Sequence, residues 1–286
     1  MILLDKIKQP ILLAVFLFAG YITVRGQTVT GRILDANNRE PLSYCNIGVA
    51  GKNIGGISRE DGTFSVEMGG ALPTDTVQIS YIGYKTLKMG VTTFRENYGQ
   101  QVILLEPTSL VLPEVFVYSN ELPVSKIGYR KRCTQFTGWG DFDVKRGRER
   151  GGLFVMEDCP NKIKNFVFRI KHNTWDSVRF RLDISKYNDD NAMAEDLLPE
   201  NVLFTVSEQK KWITVDLQKY SLDLCGKVLV GIEWVDAWGK EGENNMLTLG
   251  LSYKEGEWYT KEHPFAKIEL EHTKNMPLMY FEVYKD

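Results

Sequence analysis

The stretch TVTGRILDANNREPLSYCNIGVAGKNIGGISREDGTFSVEMGGALPTDTVQISYIGYKTL, residues 28–87, decides how this chain folds. Apolar and polar residues alternate through Val29, Gly31 and Ile33, then Ile47 and Val49, then Phe64 and Val66, then Val77, Ile79 and Tyr81. Successive side chains on a strand point to opposite faces, so this period of two marks half-buried strands. Asn, Gly, Pro or Asp closes each run, which keeps the strands short. Asp61-Gly62 lies between Ile57 and Phe64, where a tight hairpin needs residues that tolerate positive φ.

The segments Gly31-Arg32-Ile33, Glu40-Pro41-Leu42, Asn46-Ile47, Gly55-Gly56, Asp61-Gly62-Thr63-Phe64-Ser65 and Ser80-Tyr81-Ile82-Gly83-Tyr84 succeed one another in this order. Taken together, they resemble the carboxypeptidase regulatory-like family, over about residues 28–106. The resemblance implies a seven-stranded, transthyretin-like β-sandwich for residues 27–106 and a cell-envelope setting, the family being common in exported proteins of Bacteroidota. It implies no catalysis. In carboxypeptidases the domain is an accessory to the enzyme, and in TonB-dependent receptors it precedes the plug. Leu112-Pro113-Glu114-Val115-Phe116-Val117 resembles the segment that leads from this domain into the plug of such receptors. The residues beyond are too few for a plug and a membrane barrel, so a receptor is not expected.

Upstream, Lys6 and Lys8 precede an apolar run from Ile11 to Ala19, and Val24-Arg25-Gly26 precedes Gln27. This is the pattern of a signal peptide over residues 1–26, cut between Gly26 and Gln27. The apolar run is too short to span a bilayer comfortably, so no transmembrane span is expected in the mature chain. The expected destination is the periplasm, the outer-membrane surface or the exterior. A formal net charge of -2 gives no general attraction to nucleic acid. In an oxidising compartment the four cysteines bear on disulfides. Cys133 and Cys159, in loop-like sequence, are the candidate pair, with all three connectivities open; Cys45 and Cys225 read as small buried residues. No cysteine or histidine has metal-ligand spacing, and no cofactor is expected.

Downstream, Pro107, Pro113 and Pro123 predict a linker or edge strand over residues 107–125. The basic stretch from Lys126 to Arg150 reads as a solvated loop, or else as a contact for phosphate, an acidic glycan or a lipid headgroup. Alternation returns at Phe166–Ile170, Val178–Ile184, Ile213–Leu217, Val228–Trp234, Leu247–Tyr253 and Met279–Tyr284. These runs predict a second, jelly-roll-like antiparallel β-sandwich over residues 126–286, making the whole chain all-β. Asn191–Leu198 is the helical candidate.

Catalytic signatures are sparse. The chain has no HExxH, GxSxG or phosphate-binding glycine loop, and its three histidines fall at His172, His263 and His272. Glu233 and Asp236 flank Trp234 as a glycosidase pair would, and Asp189-Asp190-Asn191 reads as a turn or a weak calcium site. The tryptophans say more. Trp234 shares a face with Val230 and Ile232 and belongs in a core, whereas Trp212 is out of phase with Ile213 and Val215. Trp238 sits in the expected loop Asp236-Ala237-Trp238-Gly239 beside Lys240. Trp212, Trp238, Asp236 and Lys240 are therefore the candidate ligand-binding residues, able to stack on a sugar or cover an envelope protein. The expected function is that of a non-enzymatic exported accessory or binding protein; the alternative is a carbohydrate-binding module or weak glycosidase working through the second sandwich.

Overall fold

The computed structural model of the chain describes residues 28–96, 101–108, 122–138, 146–188, 195–207, 211–239 and 245–285. The expected signal peptide with its Gly26-Gln27 cut, Lys240 and the Asp189-Asp190-Asn191 cluster lie outside the described residues.

Seven strands build the first sandwich: β1 (Thr28–Asp35), β2 (Asn46–Val49), β3 (Gly55–Ile57), β4 (Thr63–Glu67), β5 (Thr76–Ser80), β6 (Leu87–Gly90) and β7 (Gln101–Leu105). A short helix, α1 (Val91–Glu96), precedes β7. One sheet runs β4-β1-β7 and the other β3-β2-β5-β6. The alternation read in the sequence fills the space between them with Val29, Ile33, Ile47, Val77 and Ile79, and Phe64 stacks on Phe94 of α1 at 6.1 Å. Each such side chain contributes roughly 1.5–3 kcal/mol by leaving water.

The turn expected at Asp61-Gly62 is present, but it is not a hairpin. The Gly62 N–H donates to the Arg59 carbonyl at 2.9 Å, and Gly62 takes φ 79°. A Cβ there would lie 2.6 Å from the Ile33 carbonyl oxygen, so the position requires glycine. The strands it joins belong to opposite sheets: β3 pairs with β2, and β4 pairs with β1 from Thr28 to Arg32. The turn carries the chain across the sandwich, so Phe64 and Val66 enter the core from the far side.

Eleven strands make the second sandwich: β8 (Val124–Tyr129), β9 (Arg132–Gly138), β10 (Glu149–Asn173), β11 (Ser177–Lys186), β12 (Val202–Ser207), β13 (Trp212–Asp216), β14 (Asp223–Trp238), β15 (Leu247–Ser252), β16 (Gly256–Lys261), β17 (Glu271–Thr273) and β18 (Met279–Tyr284). They form one antiparallel sheet that folds over because β10 serves both layers. Its first half lies between β14 and β16, and its second half pairs with β13, β18 and β15. Phe154 from the first half meets Phe281 of β18 at 5.4 Å, and Phe168 from the second meets Phe180 of β11 at 6.4 Å. One core therefore lies between two layers that are parts of a single ladder.

Three expectations are corrected here. The basic stretch is not a solvated loop: it contributes β8, β9 and the start of β10. Arg146 pairs with Asp236 and Arg148 with Glu262, both at 2.6 Å, while Arg150 lies over the Trp258 ring at 5.5 Å. Burial pushes the Arg150 guanidinium down to about 10. The described part of the helical candidate is not helical, since the Leu197 N–H donates to Ile184 and the Glu195 carbonyl accepts from Lys186, extending the edge of β11. Finally, Cys159 bonds to Cys225, not to Cys133, with Cα atoms 5.3 Å apart. The β10–β14 ladder breaks between Met156, opposite Gly226, and Asn161, opposite Leu224. The residues bulged out there place Cys159 beside Cys225, whose side chain is exposed because Leu222 and Leu224 take the inward positions. Cys45 is buried as expected, and burial pushes its thiol up to about 12.

Candidate functional site

On the outer face of the layer β11-β14-β10-β16, one cross-strand row reads Arg181, Glu233, Glu149, Lys261. Inward neighbours such as Leu182 and Ile232 join the core, so alternation forces these four charges onto the opposite face. The adjacent row reads Asp183, Gly231, Gly151, Tyr259. A Cβ on Gly231 would lie 2.1 Å from Glu149 Oε1 and 2.5 Å from the Tyr259 hydroxyl, and one on Gly151 would lie 2.7 Å from the Tyr259 ring. These glycines clear the floor on which Tyr259 lies down to reach Glu149.

Every member of the charged row is engaged. Arg181 Nε donates to Glu233 Oε2 at 2.6 Å, and Lys261 Nζ and the Tyr259 hydroxyl both donate to Glu149. Arg181 is 6% exposed, Glu233 3% and Glu149 1%, so these ions are out of water and depend on their partners. Burial, with the Asp183 and Glu233 charges adding to it, pushes Glu149 up to about 7 against the Lys261 ammonium. Burial lowers Lys261, but Glu149, Asp183 and Glu233 outweigh it and hold its ammonium above the ordinary range. Tyr259 is driven well above the usual phenol range by burial and then by Glu149.

The row also faces the first sandwich. Arg181 Nη1 donates to the Tyr44 carbonyl at 2.8 Å and to Asn201 Oδ1 at 3.1 Å, and Nη2 donates to Asn46 Oδ1. Tyr44 and Ile57 pack on Val235, and the Gly51 N–H donates to the Phe265 carbonyl at 2.9 Å. Arg179 lies between the rings of Trp238 and Tyr44, 5.0 and 5.8 Å from their centroids, and donates to the Tyr44 hydroxyl at 2.8 Å. Between these contacts a cleft of about 930 Å³ opens, with the charged row as its floor and Asn46, Gln78, Ser80 and Tyr81 on the opposite wall.

The structure does not gather the candidate residues read from the sequence. Trp212 is 41% exposed on β13, with Arg169 stacked at 5.4 Å and Tyr280 edge-on at 6.2 Å. Trp238, 39% exposed, ends β14 and is not in a loop, and Asp236 is held by Arg146. The Glu233 and Asp236 carboxylates are each tied to a different arginine, and a bulge places Val235 unpaired between Trp234, opposite Phe180, and Asp236, opposite Arg179. Trp234 is in the core, 4% exposed. Glu149, Arg181, Tyr259 and Lys261 had no local signature in the sequence; only the register of four strands aligns them.

A family model matches the first sandwich, and solved structures of low identity align with most of the chain. No curated protein matches the chain. Among solved structures, the cysteine protease and lectin-like domains of Cwp84, a surface layer associated protein of Clostridium difficile, align with TM-score 0.41 and 10% identity. That alignment covers 92% of this chain and 59% of the other. A form of the Clostridial cysteine protease Cwp84 after propeptide cleavage aligns with TM-score 0.40 and 12% identity, covering 94% and 68%. The chain thus spans 59% of the length of the first of these structures. Residues 29–117 match the CarboxypepD_reg-like domain, the family that the motifs between Gly31 and Tyr84 resemble.

Proposed function

We propose that this chain is an exported, non-enzymatic binding module of the cell envelope whose ligand site is the cleft between its two sandwiches. The observation that carries the reading is the internal neutralisation of the cleft floor: Arg181 answers Glu233 and Lys261 answers Glu149, so the row positions the walls and leaves the cavity's polar rim for a ligand. A CarboxypepD_reg-like segment fits an accessory role, and the Cys159–Cys225 disulfide fits an oxidising compartment outside the cytosol. The Lys6 and Lys8 start with its apolar run fits export. A second reading, sugar stacking on the outer face of the second sandwich, is favoured by the exposure of Trp212 beside Tyr280.

A thermal-shift screen of soluble glycans and short peptides separates the two. Thr86 is exposed at the cleft, so Thr86→Trp should block it without disturbing a core. A hit lost in Thr86→Trp and kept in Trp212→Ala supports the cleft; the reverse supports the outer face. Turnover of any hit would contradict the non-enzymatic reading.

A further inference from the structure

We propose, building on the cleft as the ligand site, that its mouth takes a small polar molecule by an ammonium group, seated against Asp183 and Asp196. The floor row balances two cations against two carboxylates. Asp183 lies two residues beyond Arg181 on the same face of β11, and Asp196 bridges to Ser185 in the register of that strand. Both carboxylates line the cleft. Lys261 Nζ stands 3.8 Å from Asp183 but is already in close contact with Glu149, and the remaining bond to Asp183 comes from the Ser185 hydroxyl at 3.0 Å. The cations that act on these two neighbouring carboxylates, Lys261 and Arg181, are both already bonded, to Glu149 and Glu233. Desolvation in the cleft and the Asp183 charge push Asp196 up to about 6, although its side chain still reaches solvent. A positive ligand group there relieves the repulsion.

An independent feature on the opposite wall points to the same cavity. Gln78 projects outward from β5 between the core residues Val77 and Ile79, lines the cleft and is only 9% exposed. Its side-chain amide makes no hydrogen bond with another described residue. The amide opens into the cleft and not onto another protein group, so it offers a ligand both a donor and an acceptor. Tyr81 adds a ring beside it, and Lys88, across the ladder from Gln78, offers a cation for the ligand's acceptors. A metal ion does not fit as the occupant: among the described residues no three His, Cys, Asp or Glu side chains converge. An organic cation, with its charge at one end and polar groups reaching Gln78, does fit.

The test is isothermal titration of the purified chain with two matched pairs of probes. One pair is the glucosamine disaccharide and its N-acetylated form; the other is Nα-acetyl-lysinamide and its Nε-acetylated form. The cationic member of one pair should bind about tenfold more tightly than its neutral counterpart. That preference should vanish in the Asp183→Asn/Asp196→Asn variant, whose shape is kept and whose thermal midpoint should not fall. Whichever pair responds tells a saccharide source from a peptide one. Equal binding of neutral and cationic members, a preference that survives the double substitution, or no binding at millimolar concentration would overturn the proposal. Neutral binding that Thr86→Trp blocks would leave the cleft as the site while removing the ammonium; no binding that Thr86→Trp blocks would remove both.

Discussion

Replacing Arg181 by methionine should be the most damaging single change to the junction between the sandwiches. The substitution keeps the apolar bulk of the stem and removes a guanidinium that answers Glu233 and bonds the Tyr44 carbonyl, Asn46 and Asn201. Glu233, 3% exposed, is left as a buried charge without its arginine. Breaking one side of a buried pair costs about 3–5 kcal/mol. In Arg181→Met/Glu233→Met the stranded charge is gone, and what persists is the loss of the bonds to Tyr44 and Asn46, about 1–2 kcal/mol in all. The double variant should therefore be more stable than the single one. Urea unfolding monitored by tryptophan fluorescence, which reports on Trp234 in the core and Trp238 at the junction, reads both values. A single variant costing less than about 1 kcal/mol, or a double variant less stable than Arg181→Met, would refute the argument that Arg181 is held by a buried charge pair with Glu233.

The same geometry sets further expectations. Glu149 is held up to about 7 from an ordinary 4.5, so between these values the native state keeps a proton the unfolded chain has lost, and the full charge pairing with Lys261 develops as pH rises through 7. The slope of stability with pH is then negative, stability falls by on the order of 2–3 kcal/mol as pH rises from 4.5 to 7, and Glu149→Gln should flatten this part of a pH series of urea melts. The Cys159–Cys225 bond spans 66 residues and should contribute about 4 kcal/mol by the chain-entropy model; non-reducing peptide mapping should link these two, and a peptide joining Cys133 to Cys159 would contradict it. Trp238→Ala removes the ring over Arg179 from a 39% exposed position and should cost about 1 kcal/mol, against about 3–5 kcal/mol for Trp234→Ala in the core, as thermal unfolding would show.

The parts of this fold that were legible in the sequence are those specified locally. Val29 and Ile33, or Val178 and Ile184, declare their strands because a period of two is visible within a few residues, and Gly62 declares its turn because only its backbone fits. Which strand that turn leads to was not legible, since partner choice depends on the open edge of β1. The full length of β10 was hidden by Gly151, Gly152 and Pro160, glycines being needed there for the Tyr259 ring and the Met276 side chain. The phase of Trp212 and of Trp234 predicted their exposure and burial. The cleft floor left no trace at this level. Glu149, Arg181, Glu233 and Lys261 are ordinary outward charges on their own strands, and only the register makes them neighbours.

The most direct test of the cleft as the working site is hydrogen exchange on the wild-type chain with and without a compound that raises its thermal midpoint. Bound ligand should slow exchange on both walls at once, in Thr76–Gly90 of the first sandwich and in Ser177–Lys186 of the second, because the cleft is built from these segments. Protection confined to β13 and β18, around Trp212 and Tyr280, with both cleft walls unchanged, would contradict the account.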